Sequence, residues 1–362
     1  MAQLKIPCMF MRGGTSKGPF FDMRDLPKDA KVRDKILLKV MGSPDARQID
    51  GLGGTDFLTS KVVMVQPSKR EGIDVDYLFA QVAIEEPIVD TSPPCGNMMS
   101  GVGPFAIERG MAKASDPETR VMIYNINTNS VIEAVVQTPN GLVEYEGDTQ
   151  ISGVPGTSAS VVMNLFDQVG GKTGKLFPTG KLRETIDDIE VTCIDVATPV
   201  IHINAADLGL SCTESKDYYK NNTKLMQRFE AMRREAGRRM GLGDVSNIVL
   251  PKVALLTKAT EGGNIKSHYF TPHTFHPAYP VTGSINVSSA ALIKGTIASD
   301  VANVKGLSKE KITIEHPSGI IEVLIESSGS GLSFNVEKAG IIRTVRKIMD
   351  GYVFVPENQI LK

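Results

Sequence analysis

Two side chains stand where proton chemistry can be done. Cys95 follows Pro93-Pro94 and leads into Gly96-Asn97-Met98-Met99 and an apolar run that ends at Ile107. The two prolines stop any preceding strand, because each fixes φ and lacks an N–H. The run after them reads as a helix. Its first thiol therefore faces unpaired N–H groups and the positive end of the helix dipole, which is the setting of reactive cysteines. Lys61 opens Val62-Val63-Met64-Val65, a β-branched strand whose two-residue period puts the lysine on the face of Val63 and Val65. An ammonium on an apolar face is partly desolvated and gives up its proton more readily, as a catalytic base must. Each residue also has a structural reading: an inert buried thiol, and a lysine that snorkels to water.

Anion cradles accompany the pair. Gly13-Gly14-Thr15-Ser16-Lys17-Gly18 interrupts a strand with two glycines, two hydroxyls and a lysine, a turn whose amides can approach an anion closely. It lacks the GxxxxGK[ST] spacing of a nucleotide loop. The loop from Ser43 to Asp56, with Arg47, Gly51, Gly53 and Gly54, is dense in glycine and polar groups, and no strand–GxGxxG–helix unit surrounds it. No His, Cys, Asp or Glu cluster has metal-ligand spacing, so neither a metal nor a cofactor is expected. His273 and His276 precede a second glycine turn, Thr282-Gly283-Ser284, either as structural histidines or as site residues.

The elements that position these groups are many short strands and few helices. Strands are expected at Leu4–Arg12, Arg120–Asn125, Ser130–Gln137, Leu142–Glu146, Ser160–Leu165, Ile189–Val196, Val200–Asn204 (set off by Pro199), Val253–Thr257, Ile265–Phe270, Ile312–His316, Ile320–Ile325, Leu332–Val336, Gly340–Ile348 and Gly351–Val355. Asn140-Gly141 signals a hairpin turn. Amphipathic helices are expected over Pro27–Met41 and Lys224–Met240. The basic outer face of the second reads as solvated rather than as a nucleic-acid surface. Two helices are apolar on most faces, one after Cys95 and one over Ile285–Ile293, which marks them as interior. Pro104 inside the first implies a kink or a later start. This internal echo predicts two similar α/β domains, each a curled sheet around a central helix: residues 1–150 with 340–362 carrying Lys61 and Cys95, and residues 151–339 carrying Thr282-Gly283-Ser284.

The chain has 362 residues and a formal net charge of −1, so no global field draws nucleic acid or a membrane. Its four cysteines are too few for a disulfide scaffold of this size and suit a reducing cytoplasm. The N-terminus does not read as a signal peptide, and no apolar run is long enough to span a bilayer.

Met11-Arg12-Gly13-Gly14-Thr15-Ser16-Lys17-Gly18, Gly42-Ser43-Pro44-Asp45, Arg47-Gln48-Ile49-Asp50-Gly51, Thr59-Ser60-Lys61-Val62, Cys95-Gly96-Asn97 and Gly153-Val154-Pro155-Gly156-Thr157 resemble the 2-methylaconitate cis–trans isomerase family nearly end to end. Val191-Thr192-Cys193-Ile194-Asp195 and Glu315-His316-Pro317-Ser318-Gly319 are similar to its 4-oxalomesaconate tautomerase and isomerase members, which act in protocatechuate and gallate breakdown. The resemblance implies the diaminopimelate-epimerase fold with the active site between the domains. It also implies a catalytic pair of Lys61 and Cys95, with Ser16 and Lys17 on substrate carboxylates. Thr15, Arg47, Ser60, Gly96, Asn97, Thr282, Gly283 and Ser284 complete the candidate binders. The expected reaction is cofactor-independent: one group removes a proton from an unsaturated tricarboxylic acid to give a dienolate, and another returns it elsewhere. Either Lys61 or Cys95 can be the base. Alternatives are 2-methylaconitate or methylitaconate isomerisation, racemisation of an amino or hydroxy acid, and a non-catalytic binding protein. The missing second-domain cysteine argues against racemisation by two thiols. Expected partners are a small polycarboxylate and, at most, a second copy of the chain in a homodimer.

Overall fold

The computed structural model describes residues 3–360 apart from 167, 247, 272, 273, 277 and 278. His273 is thus outside the described residues. The chain divides into two compact units, Met1–Asn164 with Ile342–Lys362, and Leu165–Ile341. The first division falls after Asn164, where the sequence suggested a point near residue 150.

The first unit contains β1 (Gln3–Gly13), β2 (Ser16–Asp22), α1 (Ala30–Met41), β3 (Lys61–Pro67), β4 (Val75–Val82), β5 (Val89–Asp90), α2 (Gly96–Met99), α3 (Val102–Glu108), β6 (Glu118–Asn125) and β7 (Ser130–Gln137); β8 (Ser160–Leu165) runs up to the division. β1 and β2 are antiparallel, β2 and β3 parallel, β3 and β4 antiparallel, β4 and β6 parallel, and β6 and β7 antiparallel. α1 starts on the side chain of Asp29, which accepts from the Val32 amide, and stops at Gly42 in the left-handed region. Its Ile36, Leu37 and Val40 pack on Val62, Met64, Ala80 and Val82. The two-residue period then assigns Lys61, Val63, Val65, Tyr77, Phe79 and Gln81 to the opposite face. On that side α2 and α3 pack against β1 to β4 and β3, β6 and β7, and α3 is buried from Val102 to Ala106.

The second unit repeats this order: β9 (Glu184–Ile186), β10 (Ile189–Val196), β11 (Thr198–Asn204), α4 (Lys216–Asn221), α5 (Thr223–Arg239), β12 (Lys252–Thr257), β13 (Ile265–Thr271), β14 (Thr274–Phe275), α6 (Val281–Ala291), α7 (Ile297–Val301), β15 (Lys309–His316) and β16 (Gly319–Ser328); β17 (Asn335–Pro356) crosses the division, its residues from Ile342 on belonging to the first unit. From β10 to β16 the pairings alternate as in the first unit: antiparallel, parallel, antiparallel, parallel, antiparallel. α5 covers one face through Phe229, Met232 and Ala236. α6, buried from Gly283 to Ala291, packs against β10, β11, β15 and β16. Two similar α/β units, each a curled sheet about a buried helix, are thus what the internal echo predicts.

Several expectations are corrected. The helix after Cys95 is two short helices joined through Ser100 and Gly101, and Pro104 falls in the first turn of α3, where its missing N–H would be unpaired anyway. Residues 142–146 form no strand, and Asn140 (φ 58°) sits in a 3-10 turn over Pro139–Gly141 rather than a hairpin. Pro199 lies within β11, opposite Asp195, whose carbonyl takes its hydrogen bond from the Gly170 amide at 2.8 Å. The closing segments merge into β17: residues 335–341 pair with β16 and 345–356 with β1. Gly351 does not break it, because it lies opposite Cys8 in the ladder. Thr282-Gly283-Ser284 is the first turn of α6 rather than a turn ahead of it.

Candidate active site

Lys61 is the first residue of β3 and stands opposite Gln81 of β4. Register thus delivers the lysine to one neutral acceptor: Nζ donates to Gln81 Oε1 at 2.7 Å. The amide is oriented by its own donor, which gives to the Ser60 carbonyl at 2.8 Å and the Phe57 carbonyl at 3.2 Å. The ammonium also lies 4.1 Å from the Phe57 ring centroid and 5.1 Å from that of Phe79, both within range of a cation–π attraction. Lys61 is only 3% exposed. Burial lowers its pKa from the ordinary 10.5, opposed by the charges of Cys95 and Asp56. The lysine is therefore held, desolvated and without a carboxylate partner among the described residues, which is the condition for a base rather than a structural ion pair.

Cys95 caps α2 with extended backbone angles and is half-buried. Its carbonyl accepts from Tyr77 Oη at 3.2 Å. Tyr77 and Gln81 lie on one face of β4, so that face holds Cys95 by its carbonyl and Lys61 by its amine, and the two residues are close enough to interact electrostatically. Gly18 lets β2 lie against the first residue of β3. A Cβ there would fall 1.8 Å from the Lys61 carbonyl oxygen, a separation no side chain tolerates. The other three cysteines, Cys8, Cys193 and Cys212, are buried, and burial pushes each thiol's pKa up, Cys8 to about 11.

The remaining candidates separate into groups. Asn97 donates to Thr15 Oγ1 at 2.9 Å, tying the Gly13–Gly18 turn to the start of α2. Thr15, Ser16 and Lys17 line a pocket of about 490 Å³ within the first unit, together with Arg12, Thr59, Tyr145 and Arg346. Lys61 and Cys95 are not among its lining residues. Ser16 is 2% exposed, and its hydroxyl has no partner among the described residues. Ser60 is engaged internally: it donates to the Val82 carbonyl and accepts from Gln48, each at 2.8 Å. The glycine-rich loop wraps that glutamine. Gly53 lies so close that a Cβ would meet the Gln48 amide at 2.2 Å. Arg47 is exposed on this loop, outside the pocket. In the second unit Ser284 is buried and donates to the Val281 carbonyl at 2.8 Å, Gly283 packs on the Tyr269 ring, and Thr282 is exposed. His276 is half-buried, with its amide on the Tyr269 carbonyl at 2.8 Å. Gln81, Phe57, Arg12 and Arg346 escape a reading of the sequence. Gln81 and the arginines acquire meaning only from strand register, and Phe57 only from the path of its loop. Among the described residues no group of three or more His, Cys, Asp or Glu could hold a metal.

A strand-borne, desolvated lysine and a helix-capping thiol thus sit in the first unit of a duplicated α/β fold, and relatives named as isomerases make the protein an isomerase. The chain belongs to the PrpF protein family, which it matches over residues 3–356. It is 46% identical over 356 residues to the 4-oxalomesaconate tautomerase of Pseudomonas putida, covering 98% of this chain and 97% of that protein. It is 39% identical over 383 residues to the 3-methylitaconate isomerase of Eubacterium barkeri, covering 99% of each. The crystal structure of a methylitaconate-delta-isomerase superposes with a TM-score of 0.89 at 37% identity, over 100% of this chain and 98% of that one.

Proposed function

We propose that this isomerase acts on an unsaturated tricarboxylic acid, 4-oxalomesaconate foremost, with Lys61 as base and Cys95 as the acid that returns the proton. The supporting observation is the setting of Lys61: a nearly buried amine whose hydrogen-bond acceptor is neutral and whose pKa burial lowers, with Cys95 close enough to interact with it. Neutral Lys61 takes a proton from a carbon flanked by unsaturation and a carboxylate. The electron pair delocalises into a dienolate, and the Cys95 thiol protonates a different carbon or the enolate oxygen. The resulting thiolate is restored by the Lys61 ammonium, so the cycle is neutral in protons and electrons and needs no cofactor. Amides of Gly96 and Asn97 and the hydroxyls of Thr15 and Ser16 are suited to hold the carboxylates nearest the reacting carbons. The names of the relatives, one acting on 4-oxalomesaconate at 46% identity and one on 3-methylitaconate at 39%, keep the dicarboxylate as the second reading. Racemisation is not favoured. Pro280 caps α6 five residues past β14, where the first unit has Cys95 five residues past β5.

The test is turnover followed by ultraviolet absorbance on both acids, with Lys61→Met and Cys95→Ser alongside the parent. Each substitution is expected to lower kcat by about 10²-fold or more, the scale of lost acid–base catalysis, with unfolding curves unchanged. In deuterium oxide the product should carry deuterium at the atom that gains the proton. A Cys95→Ser enzyme as fast as the parent would remove the thiol from the mechanism.

A further inference from the structure

The first unit carries a row of three cations that the catalytic pair does not use. Arg346 of β17 lies opposite Arg12 of β1, and Arg12 lies opposite Lys17 of β2. Like charges directly across a ladder repel one another, and all three residues line the same 490 Å³ pocket. None makes an ion pair with a carboxylate among the described residues; Glu146, exposed at the rim, pairs with none of them. Arg12 is partly held by the protein, Nη1 donating to the carbonyls of Gly14 and Thr344 at 2.9 and 2.8 Å and to Thr344 Oγ1 at 3.1 Å. Its pKa is lowered by burial and by the charge of Arg346. Arg346 and Lys17 keep donors for a ligand. A second observation points the same way: the buried Ser16 hydroxyl lacks a partner and lines this pocket. The rim also reaches the catalytic pair. Thr59 is two residues from Lys61, and Thr15 is bonded to Asn97, two residues from Cys95.

We propose that the Arg346–Arg12–Lys17 row binds the carboxylate of the substrate farthest from the reacting carbons, and so selects a tricarboxylate over a dicarboxylate. This rests on the proton-transfer reading above and adds the residue that sets the substrate class. A pocket of this size suits one small molecule, and arginine grips a carboxylate with two parallel donors. A dicarboxylate that places its two acid groups near Lys61 and Cys95 leaves the row empty.

The experiment uses Arg346→Gln and Arg346→Lys in the full chain. With 4-oxalomesaconate, Arg346→Gln should raise KM about tenfold or more while kcat stays within about threefold, as expected for one lost charged contact; Arg346→Lys should recover part of the loss. With 3-methylitaconate, KM should be unchanged. Calorimetry with tricarballylate, a saturated tricarboxylate that cannot be isomerised, gives a readout free of turnover: its affinity should fall in Arg346→Gln by a similar factor and survive in Cys95→Ser. Should neither acid turn over, the tricarballylate arm still decides the row, while the Lys61 and Cys95 variants decide the chemistry. Unchanged tricarballylate binding in Arg346→Gln overturns the proposal. So does an equal rise in KM for both acids, or weakened tricarballylate binding with no change in KM.

Discussion

Lys61 illustrates how a neutral neighbour leaves a buried amine without a paired carboxylate among the described residues. Gln81 gives the ammonium one good hydrogen bond and adds no charge of its own, and burial lowers the pKa against the opposing charges of Cys95 and Asp56. On the proposed mechanism the neutral amine is the active form, and activity should therefore rise with pH through the folded pKa of Lys61, which lies below the ordinary 10.5. Gln81→Glu would set a carboxylate against the ammonium and raise that pKa. The predicted outcome is that the limb of log(kcat/KM) governed by the base moves to higher pH by about one unit or more, with kcat at pH 7 reduced about tenfold or more. A variant that is merely slower, with the limb in place, would make Gln81 a structural amide only. The lysine and the thiol are legible from residue type and flanking pattern. Their partners are not: Gln81 lies 20 residues from Lys61 in sequence, and only the β3–β4 register makes them neighbours.

The elements hold the pair by close approach more than by their own stability. α2 is a single turn, and it is fixed by Tyr77 on the Cys95 carbonyl and by Asn97 on Thr15. β2 reaches β3 closely because residue 18 has no side chain. Gly18→Ala would push a methyl group into the Lys61 carbonyl, so β2 and β3 must separate. The expected loss is about 1–3 kcal/mol in urea unfolding, the usual scale of overpacking, together with a lower kcat because Lys61 moves with its strand. An alanine variant with the parent's stability and rate would show that the strands part without consequence. Behind them, Phe105 of α3 is fully buried with its ring 5.7 Å from Phe20. Phe105→Ala should cost about 3–5 kcal/mol, read as a drop in the unfolding midpoint.

At the scale of the molecule the two units share one order of strands and one pattern of pairing, but their chemistry has diverged. Lys252 opens β12 as Lys61 opens β3, and burial, then the charge of Arg233, lowers its pKa also. Yet Pro280 caps the helix where Cys95 caps the other. The first unit therefore combines a strand-opening lysine with a helix-capping cysteine, and its counterpart keeps the lysine alone. With no metal-holding cluster among the described residues, activity should survive prolonged chelation and dialysis at full kcat. Loss that only a divalent ion restores would sink the scheme of two protein groups. No described helix is long and apolar enough to cross a membrane.

What the amino-acid order determined by itself was local: which runs alternate as strands, where prolines and glycines interrupt them, and which lysine and which cysteine stand in settings suited to proton chemistry. Periodicity and residue chemistry act over a few residues, so they can be read without a fold. Even there, neighbours overruled local signals: Pro199 stays in its strand because Gly170 serves the opposing carbonyl, and Ser60 is taken up by Gln48 and Val82. The tertiary structure alone decided what depends on register and packing. It put Gln81 on Lys61, aligned Arg346, Arg12 and Lys17 in one row, buried Ser16 without a partner, and folded Thr282-Gly283-Ser284 into a helix. A hydrogen-bonded ladder brings residues together irrespective of their separation along the chain, and a one-residue slip would turn each of them to the other face.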